Sequence, residues 1–186
     1  MKFVVEIMTR GVDYPRFRRA YHSETFNQEV AVAANLKERS LQEFVTDPDG
    51  TERRRVRVVP RVNLPAAFEK ILNGRPISYE EITVYNPATR RASFAIESTA
   101  GDRLSVTGEA RFTDVPEGVR LRFEGEAEVK LFGLGGPIER YIVREVKSRY
   151  DLVERLLQRF VDEGRDQTSV TAASVSSLLP GTGGGP

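Results

Sequence analysis

The chain has 186 residues, enough for one domain with a substantial core. Its 28 Lys and Arg against 27 Asp and Glu leave a formal charge of +1, so no global field draws it to nucleic acid. The absence of cysteine excludes disulfides and thiolate chemistry, and one histidine, His22, excludes a multi-histidine metal cluster.

Lys2–Met8 reads as a first strand, with Phe3, Val5 and Ile7 on one face. Gly11 ends it. Asp13 then offers an N-cap, Pro15 sits in the first turn, and Phe17 and Tyr21 are four residues apart, which predicts a short helix over Tyr14–His22. Thr25 and Gln28 predict a capping box for a second helix carrying Phe26 and Val30, with Asn35 as its stop.

Strands follow. Leu41–Thr46 and Arg53–Val59 flank the turn Asp47-Pro48-Asp49-Gly50. Ala66–Asn73 reads as one or two helical turns closed by Gly74, with Phe68, Ile71 and Leu72 on its apolar side. Ile77–Tyr85, Arg91–Ser98, Arg103–Thr113 and Val119–Phe132 complete the strands. The last has the clearest pattern: Val119, Leu121, Phe123, Gly125, Ala127, Val129 and Leu131 alternate with charged residues, so one face is buried and one wet. A strand this long suits a strongly curved antiparallel sheet, with Gly125 marking a bend.

Gly133-Leu134-Gly135-Gly136-Pro137 lacks the Lys-Ser/Thr of a phosphate loop and follows antiparallel strands, so it reads as a strand-to-helix corner. Beyond it, Ile138, Ile142, Val146, Val153, Leu157 and Phe160 recur at helical spacing, widened by Tyr141, Tyr150, Leu152 and Leu156. Glu139, Arg140, Arg144, Lys147, Asp151, Glu154, Arg155 and Arg159 mark the polar face. Residues 1–163 therefore form the expected domain. From Gly164 to Pro186 the composition turns to Ser, Thr, Ala, Gly and Pro, which predicts a disordered tail.

Strand, two short helices, about six to seven antiparallel strands and a long closing helix is an α+β order. It resembles the helix-grip fold of the START-like superfamily of polyketide cyclase-like and lipid-transfer proteins. The Tyr21–Leu36 segment, Pro60-Arg61-Val62-Asn63-Leu64-Pro65 and the run Gly133–Glu139 are similar to an uncharacterised bacterial branch of it. The resemblance implies a cavity between the concave sheet and the last helix, holding a hydrophobic small molecule or lipid. The chain would then be a carrier or sensor; the alternative is an enzyme of the polyketide cyclase or aromatase type using the same cavity.

Candidate lining residues are Leu121 and Phe123 on the long strand and Ile142, Val146 and Tyr150 on the helix; a packed core is the alternative for each. Leu64–Gly74 is either a lid, with Phe68 and Leu72 touching ligand, or a packed connection. His22, near a helix end, reads as structural or surface, and no catalytic residue, metal or cofactor is assigned. Arg53-Arg54-Arg55-Val56-Arg57 reads first as a solvated face, then as transient contact with an anionic membrane surface, and last as nucleic-acid binding. The early Glu6 and the lack of a spanning apolar run point to a cytoplasmic protein.

Overall fold

The computed structural model describes residues 1–61, 68, 72, 74–133 and 135–167. In chain order they form β1 (Lys2–Arg10), α1 (Tyr14–His22), α2 (Glu24–Ala33), β2 (Leu36–Thr46), β3 (Glu52–Pro60), β4 (Tyr79–Asn86), β5 (Arg91–Ser98), β6 (Leu104–Val115), β7 (Gly118–Val129) and α3 (Gly135–Asp162). The strands make one antiparallel sheet in the order β1-β7-β6-β5-β4-β3-β2. This is the expected α+β helix-grip architecture. The expected helical turns at Ala66–Asn73 lie outside the described residues except for Phe68 and Leu72, as does the tail beyond Gln167.

Local chemistry sets most boundaries. Asp13 accepts a hydrogen bond from the Arg16 amide at 2.8 Å, and Pro15 fits the first turn of α1. The cap of α2 is Ser23 rather than the expected Thr25: its hydroxyl accepts from the Phe26 amide at 3.2 Å. Asn35 takes a left-handed φ of 49°, which turns the chain out of α2. β2 begins five residues earlier than expected because two register shifts, at Leu36/Glu38 and Leu41/Glu43, break its alternation.

The register places residues from all seven strands in one row across the sheet. Phe44 lies opposite Arg54, Arg54 opposite Thr83, Thr83 opposite Phe94, Phe94 opposite Gly108, Gly108 opposite Gly125, and Gly125 opposite Phe3. The glycine pair is a steric requirement. A Cβ on Gly108 would stand 2.2 Å from the Glu124 carbonyl oxygen and 2.6 Å from the Phe94 ring. One on Gly125 would stand 2.6 Å from the Phe3 ring. Bare backbone at this point lets the two phenylalanine rings lie down on the sheet.

The helix α3 closes one face. Ile138, Val143, Val153, Leu156, Leu157, Phe160 and Val161 are its buried residues. Two packed clusters lie beneath it. One gathers Phe17, Phe26, Leu121, Leu157 and Phe160; the other gathers Phe3, Phe68, Ala127, Ile138 and Val143, and Phe94 and Tyr150 border both. Two glutamates expected on the polar face of α3 instead reach the sheet. Glu154 accepts from the Met8 amide at 2.8 Å, and Glu139 accepts from the Val129 amide at 3.0 Å. Gln158 accepts from the Arg10 amide at 2.8 Å, so α3 side chains satisfy donors on the outer edge of β1.

The fold also continues past Glu163. A 3-10 turn at Arg165–Gln167 buries Asp166, whose carboxylate meets the Arg16 guanidinium at 2.6 Å.

Gly108→Ala should lower the melting temperature by an amount equivalent to about 2 kcal/mol or more, since the clash is with backbone and cannot relax by a rotamer change. Gly136→Ala, whose Cβ would meet only the Arg140 side chain at 3.5 Å, should leave it nearly unchanged. Thermal denaturation of both variants checks the pair.

Candidate functional site

A cavity of about 300 Å³ lies between the concave sheet face and α3. Its apolar wall comes from Phe3, Phe94, Ile96, Val106 and Phe123 on the strands and from Tyr141, Ile142, Val146 and Tyr150 on α3. Alternation on β5, β6 and β7 puts these strand residues on one face, and the Gly108–Gly125 pair lowers the floor between them.

Of the residues singled out from the sequence, Phe123, Ile142, Val146, Tyr150 and Phe68 lie on this wall. The Tyr150 ring rests 4.3 Å from that of Phe123, and Phe68 packs edge-on against Tyr141 at 5.3 Å. Leu121 does not reach the wall: it has no exposed surface and sits in the packed cluster with Leu157. Leu72 is buried with Phe68 in the other cluster and is likewise off the wall. The rest of the proposed lid, Leu64–Gly74, lies outside the described residues apart from Gly74.

A model of the family described as "Protein of unknown function (DUF2505)" matches residues 9–161. The chain belongs to the DUF2505 family. Three solved structures share its fold. The protein TTHA0849 of Thermus thermophilus is similar with a TM-score of 0.61 at 14% identity, over 88% of this chain and 99% of that one. The di-domain ARO/CYC StfQ of the steffimycin biosynthetic pathway has a TM-score of 0.54 at 15% identity, over 88% of this chain and 52% of that one. Ara h 8.0201 has a TM-score of 0.54 at 12% identity, over 86% of this chain and 98% of that one. These likenesses place the DUF2505 chain in the START-like helix-grip fold. Among curated proteins none matches it significantly.

The remaining wall of the DUF2505 cavity is polar, and sequence reasoning missed it. Arg39, Arg54, Tyr79, Glu81 and Thr83 line it from β2, β3 and β4; Tyr21 and His22 come from α1, and Arg149 from α3. Register sorts the arginine run. Arg54 shares the inward face of β3 with the buried Val56 and Val58, whereas Arg53, Arg55 and Arg57 turn outward. Their partners are Asp47 at 2.9 Å, Glu80, and Glu38 at 3.6 Å, respectively. The bulges in β2 bring Arg39 opposite Val58 and so to the same side.

Inside, Arg39 donates to Glu81 at 2.8 Å and to the Asn27 side-chain oxygen at 3.3 Å. Arg18 and Glu52 form a two-point pair at 3.2 and 2.5 Å beside the Tyr85 ring. Arg54 shares the same Asn27 oxygen at 3.4 Å. Among the described residues it has no carboxylate within 4.0 Å. Burial, then the Arg39 charge, pulls the Arg54 guanidinium below its ordinary pKa. Arg149 holds its Nη1 buried without a hydrogen-bond partner.

Burial pushes the Tyr79 hydroxyl up to about 12, with the Glu81 charge adding to it, and pushes the Tyr150 hydroxyl well above 10. Both remain protonated donors at neutral pH. His22, read from the sequence as structural or surface, lines the cavity. The residue keeps an exposed surface, although protein atoms lie densely around the ring. Burial, then the charges of Arg18 and Arg54, pushes its imidazole down to about 3. It is a neutral group on the cavity wall.

Because the His22 pKa lies below the ordinary histidine value of 6.5, the unfolded chain takes up a proton that the fold refuses. Stability therefore falls as pH drops through 6.5 towards 3. His22→Gln should flatten the decline of Tm between pH 6.5 and about 5, above most carboxylate titration. Equal slopes in the two proteins would mean that the folded ring accepts the proton.

Proposed function

We propose that the protein binds a hydrophobic small molecule, a lipid of modest size, in the cavity beneath α3 and acts as its carrier or sensor. The observation that carries this reading is the glycine-floored apolar wall. Phe3, Phe94 and Phe123 surround about 300 Å³ that side chains leave open. A space of this size lies at the lower end of the range that holds drug-sized ligands. It suits one acyl chain or a compact ring system. Empty apolar volume weakens packing, so retaining it calls for a use.

The partner is then the small molecule itself. Delivery by transient contact with an anionic membrane belongs to the same reading, but the β3 run lends it little, since Arg53, Arg55 and Arg57 each face a carboxylate. No helix among the described residues is long and apolar enough to cross a membrane.

One observation favours a second reading, an enzyme of the polyketide cyclase or aromatase type. A neutral imidazole at His22 lines the cavity, where its N–H could donate a hydrogen bond to a substrate carbonyl.

Native mass spectrometry of the purified full chain, with extraction of what it carries, tests the proposal. A copurifying hydrophobic molecule is expected in the wild type. Val146→Trp, which fills the cavity from α3, should lose it while Tm stays within a few degrees. A wild-type protein that carries nothing and is not stabilised by single-chain lipids would overturn the carrier reading. Turnover of an added polyketide analogue, lost in His22→Gln, would favour the enzyme.

A further inference from the structure

We infer that the cavity selects a hydrophobic molecule with an anionic oxygen head, a carboxylate or phosphate monoester, seated on Arg54 and Arg149 with its apolar body along Phe94 and Phe123. This rests on the binding reading above and narrows it to one ligand class.

The argument is a charge count along the wall. Two of the three lining carboxylates are already engaged, Glu81 by Arg39 at 2.8 Å and Glu52 by Arg18. The third, Glu145, approaches only the exposed Arg144, at 3.9 Å, and makes no ion pair with Arg149 within 4.0 Å. The lining arginines are Arg39, Arg54 and Arg149, and only Arg39 has a carboxylate partner among the described residues. Two guanidiniums are thus surplus on a wall whose opposite side is phenylalanine. A guanidinium cannot shed its charge at any pH at which the chain folds, so the surplus persists.

Donors also outnumber acceptors. Arg54 has one long hydrogen bond, to an Asn27 oxygen that already accepts from Arg39. Arg149 Nη1 is buried and unmatched. A buried donor without an acceptor is costly, and an oxyanion removes that cost with charge-assisted bonds. A neutral alcohol would satisfy a donor and leave both charges uncompensated. An ammonium head would be repelled.

Placement gives the ligand its direction. Arg54 and Phe94 belong to the same cross-strand row, with Thr83 between them. Arg149 immediately precedes Tyr150, whose ring lies on Phe123. Head and body sites are therefore adjacent on the sheet and on the helix alike.

Isothermal titration of the full chain with decanoate, decyl phosphate, decanol and decylamine, all below micelle formation, tests this. Decanoate or decyl phosphate should bind at least about tenfold more tightly than decanol, and whichever is stronger identifies the head. Decylamine should be weakest. In Arg54→Met and Arg149→Met the anion's advantage should shrink towards the affinity of decanol, while decanol itself binds as before. The wild-type comparison stands even if a variant folds poorly. Decanol or decylamine binding as tightly as both anions would overturn this inference and leave the hydrophobic carrier intact. If no decyl compound binds, the carrier reading fails together with it.

Discussion

Two glycines facing each other across β6 and β7 hold the concave side of this protein open. Any side chain at Gly108 or Gly125 would strike backbone or the rings of Phe3 and Phe94. With backbone alone there, the rings settle onto the sheet, and the helix α3 spans the hollow instead of sinking into it. The packed clusters at either side then bear α3, through Leu157 and Phe160 in one and Ile138 and Val143 in the other. Leu121 and Ile138 are fully packed, while Ile142 and Val146 pack only in part and leave the rest of their surface to the cavity.

The polar wall follows a different logic. Burying charges is unfavourable unless they are paired and hydrogen-bonded, and a packed apolar core usually serves stability as well or better. Here Arg39, Arg54, Glu81 and Arg149 are retained beside Tyr21, Tyr79 and Tyr150. Part of the set balances internally, through Arg39 and Glu81 and through Arg18 and Glu52. The remainder does not balance. On the binding reading proposed above, these unbalanced residues are the ones that would meet the ligand.

What the sequence revealed depended on how far apart the decisive contacts lay. The limits of α1 and β5 and the inward set of β7 rest on caps, turns and strict alternation, and these are local signals. The wall residues Phe123, Ile142, Val146 and Tyr150 could be found because an apolar stripe on the last helix has to face an apolar strand. Arg54 could not. It shares parity with Val56 and Val58, but standing between Arg53 and Arg55 it reads as part of a solvated run, and the polar wall it joins is assembled only when β3 pairs with β2 and β4. Arg39 was hidden by the bulges of β2, which leave no alternation to follow. Glu139 and Glu154 read as solvated helix residues because the amides they accept from belong to strands across a corner or more than a hundred residues away. Leu121 was misplaced by one notch: its parity is right, but it lies two residues along β7 from the hollow, under α1 and the end of α3.

The cross-strand row has a consequence for size. From Arg54 to Phe3 it crosses β4, β5, β6 and β7, with adjacent strands about 4.8 Å apart. Distance from the cationic end is therefore graduated in strands, like marks on a ruler laid along the floor. Side-chain changes on β5 or α3 can narrow or widen the groove, but the length it measures is fixed by how many strands the chain has laid between its arginine and its last phenylalanine. Relatives that kept the strand order would keep the measure while changing every residue that touches what is measured.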